Sequence, residues 1–118
     1  MGVTQRIALS MIRGDTLTIG FEITNLSEDL DEVFFSCRTA FGASDYIFQV
    51  SLTGQSVNGS VTKEADGKYR VRVAPVATAS LTPGQYVYDL KIEYGDDVIT
   101  PLIGTLKIDW GVSEGAMS

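Results

Sequence analysis

The side chains of this sequence that could do chemistry are mostly carboxylates, and they gather in three stretches. Glu28, Asp29, Asp31 and Glu32 form one, Glu64 and Asp66 a second, Asp96 and Asp97 a third. Gathered oxygens of this kind can hold Ca2+, which takes about six to eight of them. They can also run acid–base chemistry where burial tunes one carboxyl. No D-x-D-x-D-G loop is present, and nothing in the sequence signals a pocket. Solvation or partner docking is the plainer expectation. Cys37 is the one thiol, and no histidine exists to activate it. It falls in an apolar segment and is expected to be a small core filler. Arg13-Gly14-Asp15 matches a short integrin-binding tripeptide, but Gly and Asp between two alternating segments equally make a tight turn. Phosphate-binding loops, dinucleotide fingerprints, zinc spacings and nucleophile elbows do not occur. The expectation is a protein that is not an enzyme and uses no cofactor or metal.

Bulk composition narrows the partners. The 118 residues suffice for one domain with a real core. A formal net charge of −6 repels a phosphate backbone on average, which argues against nucleic acid. A single cysteine excludes an intrachain disulfide, so folding needs no oxidising compartment. The chain has no apolar run near the roughly 20 residues of a membrane span. Its N-terminal apolar stretch, Ile7 to Ile12, is closed by Arg6 and Arg13 and is too short for a signal peptide. Synthesis and folding in a cytoplasm, without membrane insertion, are expected.

The elements that must position these groups are strands. From Leu81 to Ile108 the pattern is a long antiparallel hairpin. Tyr86, Tyr88, Leu90, Ile92 and Tyr94 share one parity, and Gly95-Asp96-Asp97 makes the turn. Further strands are expected at Thr4 to Ile12, with Ile7, Leu9 and Met11 on one face, and at Thr16 to Thr24. Others follow at Val33 to Thr39, Tyr46 to Leu52, Val61 to Lys63 and Tyr69 to Val73. Gly54 to Gly59 reads as a mobile connection, and Ala77 to Ser80 as one helical turn. About eight short strands with frequent turns predict an all-β, immunoglobulin-like antiparallel β-sandwich, with a barrel as the alternative. Residues 1–110 would form the domain and 111–118 a flexible C-terminal tail.

Three further expectations follow from that topology. The corner Pro83-Gly84-x-Tyr86 would let the Tyr86 hydroxyl bond to backbone a few residues upstream and pin the crossing between the sheets; a core tyrosine with its hydroxyl at the rim is the alternative. The three acidic stretches would share one end of the sandwich and make an acidic pole. Apolar residues on the wrong parity, namely Phe34, Val87, Ile99 and Ile103, together with Trp110, would form a second, intermolecular surface. Scattered surface hydrophobics are the plainer alternative.

Ile12-Arg13-Gly14-Asp15-Thr16-Leu17-Thr18-Ile19, the stretch Leu81 to Leu90, and Leu102-Ile103-Gly104-Thr105-Leu106 occur in order along the chain. Together they resemble the immunoglobulin-like N-terminal domain of phage baseplate upper proteins and related small phage or prophage tail proteins. The resemblance implies a virion structural protein, of the tail, baseplate or accessory type. It would work by contacts with other phage structural proteins or with itself as a homo-oligomer, after synthesis in a bacterial cytoplasm. The chain ends at Ser118, without the long receptor-binding extension of that family, so an accessory role fits its length better. The rival reading is a bacterial surface or carbohydrate-binding immunoglobulin-like module, which would show an exposed aromatic platform on one sheet.

Overall fold

Alternating apolar residues become strands in the computed structural model of the chain, which describes residues 4–24, 28–54 and 56–111. Among these residues the strands are β1 (Gln5–Arg6), β2 (Leu9–Ile12), β3 (Leu17–Glu22), β4 (Glu32–Arg38), β5 (Phe48–Ser51), β6 (Gly59–Ala65), β7 (Lys68–Val73), β8 (Gly84–Tyr94) and β9 (Asp97–Asp109). They form two sheets. The larger runs β1-β9-β8-β4-β5, with β2 also on β9; the smaller runs β3-β7-β6. β1 and β2 lie parallel to β9, and the other neighbours are antiparallel. The molecule is an all-β sandwich.

Every second side chain of the central strands enters the space between the sheets. Val33, Phe35 and Cys37 of β4 and Tyr88, Leu90 and Ile92 of β8 meet Tyr69, Val71 and Val73 of β7 there, all essentially buried. Phe35 is the hub. Its ring lies 5.4 Å from that of Tyr88 and 6.3 Å from that of Phe48. Alternation drives this packing because one pleated face must leave water while the other stays in it. Cys37 is fully buried, and burial pushes its thiol up to about 12.

Several boundaries differ from the sequence expectation. The first strand is broken between β1 and β2. Met11 is buried while Ile7 is exposed, so the two do not share a face. The break is a docking point. The Ile7 N–H donates to the Ile103 carbonyl (3.1 Å), and the Ile7 carbonyl accepts the Tyr88 hydroxyl at 2.7 Å. Gly104 makes room for it, since a Cβ there would stand 2.1 Å from the Ile7 oxygen.

The closing hairpin carries a second irregularity. Leu90 faces Leu102, yet Ile92 faces Ile99, so β9 has one residue too many. Pro101 lies in that interval and has no N–H for a ladder, which suits a bulge. The bulge reverses the parity of β9. Ile99 therefore packs against the core with Leu102 and does not belong to an outer surface. The helical turn is a 3-10 turn at Pro75–Ala77, earlier than expected, because the proline is preset for the first helical position. The fifth strand is longer than expected. The link before it is tied by a bridge between Ser56 and Gly59. Of the expected tail, residues 112–118 lie outside the described residues, as do residues 25–27 just before the first acidic stretch. Among the described residues no helix is long and apolar enough to cross a membrane.

Candidate functional site

The two ends of the sandwich are tied down by single side chains. At one end the Tyr86 hydroxyl donates to the Thr82 carbonyl at 2.6 Å. Pro83 and Gly84 make the intervening corner, and a tyrosine thereby pins the crossing into β8. The Arg13-Gly14-Asp15 turn lies at this end too. Arg13 donates to the Leu81 carbonyl (3.1 Å), the Gly14 N–H to the buried Thr78 hydroxyl (2.9 Å). The Arg13 guanidinium also lies 4.0 Å over the Trp110 ring. The arginine of the tripeptide is engaged inside the fold. Trp110, 58% exposed, covers that arginine and stands apart from the other residues expected on the second surface.

At the opposite end the three acidic turns meet. The Ile23 N–H reaches the Gly67 carbonyl, and the Asp31 N–H reaches that of Glu93. The Gly95 N–H donates to the Asp31 carboxylate at 2.7 Å. Leu30 donates its buried N–H to the Tyr69 hydroxyl at 2.9 Å, and Glu28 donates its N–H to that of Tyr94. Lys63 stands between the turns. Its ammonium is 2.6 Å from Asp29 and 3.2 Å from Asp66, and those hydrogen bonds raise its pKa. Asp96 and Asp97 are exposed at the hairpin tip. Two of the expected acidic residues act elsewhere. Glu64 pairs with Arg70 on the outer face of the smaller sheet at 2.6 Å. Glu32 turns its carboxylate onto the end of β5. Among the described residues, no three acidic or sulfur side chains converge as a metal site would require.

Glu32 shows what one of these carboxylates does. Its Oε1 accepts the N–H groups of Val33 (2.9 Å), Leu52 (3.0 Å) and Thr53 (3.2 Å), and its Oε2 takes the Thr53 hydroxyl. Burial alone would raise its pKa, but these donors together outweigh burial and lower it. A folded-state pKa below the unfolded value of about 4.3 gives stability that is present above that pH and lost as pH falls through the folded value. Glu32→Gln is expected to cost about 1 kcal/mol at neutral pH. The gap between variant and parent should close in acid, as urea unfolding at a series of pH values would show. A gap that stays constant down to the acid limit contradicts this role.

The remaining candidate residues lie on the outer face of the larger sheet. Cross-strand rows place Phe34 beside Lys91, Ser36 beside Asp89 and then Ile103, and Arg38 beside Val87 and then Thr105. Phe34, Val87 and Ile103 thus share one face, separated by polar neighbours, and each is half-buried. A shallow groove of about 240 Å³ crosses this face between Phe34, Arg38, Gln49 and Lys91. A smaller one of about 170 Å³ adjoins it near Val87 and Phe41. Two further aromatics stand at the rim, Phe41 at 55% and Tyr46 at 47% exposure; Tyr46, expected to open a strand, lies outside β5. Arg38 braces them. Its guanidinium lies 4.4 Å over the Tyr46 ring and donates to the Ala43 carbonyl. Aromatic residues and arginine set among polar neighbours are the composition of a protein-binding surface. Phe41 falls outside every expected strand.

No family model matches the chain, and no curated protein matches it. Among solved structures, the chain resembles one titled "The three dimensional structure of NK cell receptor Nkp44, a triggering partner in natural cytotoxicity". The TM-score is 0.54 at 14% identity, over 90% of this chain and 100% of that one. That likeness is one of fold, and the sandwich is immunoglobulin-like.

Proposed function

We propose that this protein is a non-enzymatic structural module of a phage or prophage particle, of the tail, baseplate or accessory kind. It works through the outer face of its larger sheet. The observation that carries the reading is that face itself. Phe34, Val87 and Ile103 lie across three rows, with Phe41 and Tyr46 exposed beside them and Arg38 held in place. The particle assignment is supported by the resemblance of Ile12 to Ile19, Leu81 to Leu90 and Leu102 to Leu106 to phage proteins. A contact surface repeated by symmetry multiplies weak affinities, so such a module needs shape and copy number and no reactive group. The thiol fits that reading, because it is sealed in the core.

The test is incorporation. Particles assembled in a host carrying the parent gene should contain the protein. Particles assembled with Phe34→Glu and Ile103→Glu combined should lack it, while the variant stays folded in the soluble fraction. Equal incorporation of the variant overturns the assignment of this face.

A further inference from the structure

A sandwich of unequal layers has edges, and each exposes unpaired backbone. Among the described residues, three of the four edges are blunted. β1 and β2 are two short pieces with a break between them, and β5 has four residues. β6 is bulged between Lys63 and Ala65 and carries Lys63 and Glu64 there. The fourth edge is β3, Leu17-Thr18-Ile19-Gly20-Phe21-Glu22. It has no proline, no lysine and no bulge, and all six residues pair in unbroken register with β7. β6 is the strand of the smaller sheet that packs against β5. β3 therefore lies on the far side, where the larger sheet continues into β9 and β2. Among the described residues no strand pairs with its free side.

The hydrogen-bond phase of this edge can be read directly. The Ile23 N–H bonds to Gly67. The alternation of an antiparallel ladder then turns Phe21, Ile19 and Leu17 toward β7, and Thr18, Gly20 and Glu22 toward the open side. Gly20 is at the centre of that outward set. A glycine inside a strand weakens it and often marks the close approach of another backbone. No atom of this chain explains it, since a Cβ at Gly20 would meet nothing within 4 Å.

We propose that β3 pairs antiparallel with β3 of a second copy of this chain, about a two-fold axis through Gly20. The outward set is self-complementary in that register. Gly20 exchanges both backbone bonds with Gly20 of the second copy, and Thr18 does so with Glu22. On the inner face Ile19 lies opposite Phe21, and Leu17 opposite Ile23. All four are half-buried in the single chain and gain cover from the pairing. No like charges oppose each other. Glu22 of one copy faces Thr18 of the other, whose neighbour across the ladder is Arg72. The two small sheets become one continuous sheet. This surface is distinct from the outer face assigned above and stands whether or not the protein belongs to a particle.

Sedimentation equilibrium of the purified chain tests the pairing. The parent should pass from 12.8 kDa to twice that mass below about 1 mM, the range of weak contacts. Because both copies carry a net charge of −6, added salt should strengthen the dimer. Gly20→Lys places two ammonium groups across the axis in open space, and Thr18→Pro removes an outward N–H without touching the β7 ladder. Each should weaken the dimer at least tenfold, with the circular dichroism of the parent retained; if one fails to fold, the other decides. A parent that stays monomeric, or a dimer that survives in the folded variants, overturns the proposal.

Discussion

Gly104→Ala is expected to destabilise the protein by about 3 kcal/mol, at the upper end of overpacking costs. For a chain of this size that is roughly 10 °C in melting temperature. Two effects compete at this position. Alanine is the better strand residue, and the relief of glycine's entropy would stabilise by about 0.5–1 kcal/mol. Against it stands a backbone oxygen, that of Ile7, at 2.1 Å from the new Cβ. A carbonyl cannot rotate away as a side chain can. It is also held by the Tyr88 hydroxyl, so moving it strands a partly buried phenol. Steric cost exceeds propensity, and the sign is destabilising. The first segment should loosen with it, so the Ile7 amide should exchange with deuterium much faster than in the parent. A melting temperature within a degree or two of the parent would contradict this account of the N-terminal docking.

Phe35→Ala should have an effect at least as large, about 3–5 kcal/mol by comparison with other buried phenylalanines. Its ring is fully buried, and it joins Tyr88 of β8 to Phe48 of β5. The cavity would open between the sheets, where three neighbouring strands of the larger one are fixed to each other and cannot collapse into it. That cost is a large part of the 5–15 kcal/mol that holds a typical domain together, so the variant is expected largely unfolded near 37 °C. Denaturant unfolding followed by tyrosine and tryptophan fluorescence would measure it. A loss under about 1 kcal/mol would mean that the core is not organised around this ring.

Much of this fold is legible from residue order, for identifiable reasons. Alternation in β3 and β7 is strict, and in β4 and β8 it is broken only by Phe34 and Val87; such alternation has one outcome when a single face is buried. The Tyr86 corner was readable because Pro83 and Gly84 fix the backbone just before it. The meeting of the acidic turns followed from strand order, since consecutive antiparallel strands return their turns to the same ends. What stayed hidden depends on contacts distant in sequence. Nothing local announces that Gly104 must admit the Ile7 carbonyl, so β1 and β2 read as one strand. Pro101 marks the bulge, but its consequence, the inward turn of Ile99, depends on the register with β8. Glu32 is one acidic residue among four in its stretch, and only the folded chain brings the N–H groups of Leu52 and Thr53 to it. Phe41 lies in a turn, where periodicity carries no information about burial, and Tyr46, which reads as the start of a strand in phase with Phe48 and Val50, lies just before β5 and is exposed.

As proposed above, this sandwich would serve through its outside surfaces, as a repeated part of a viral particle. Quantitative mass spectrometry of particles purified from an induced host that carries the gene tests it most directly. The protein should be present at a fixed copy number relative to the other structural proteins, retained through density-gradient centrifugation. Its absence from those particles, with the protein found only in the soluble lysate, would contradict it.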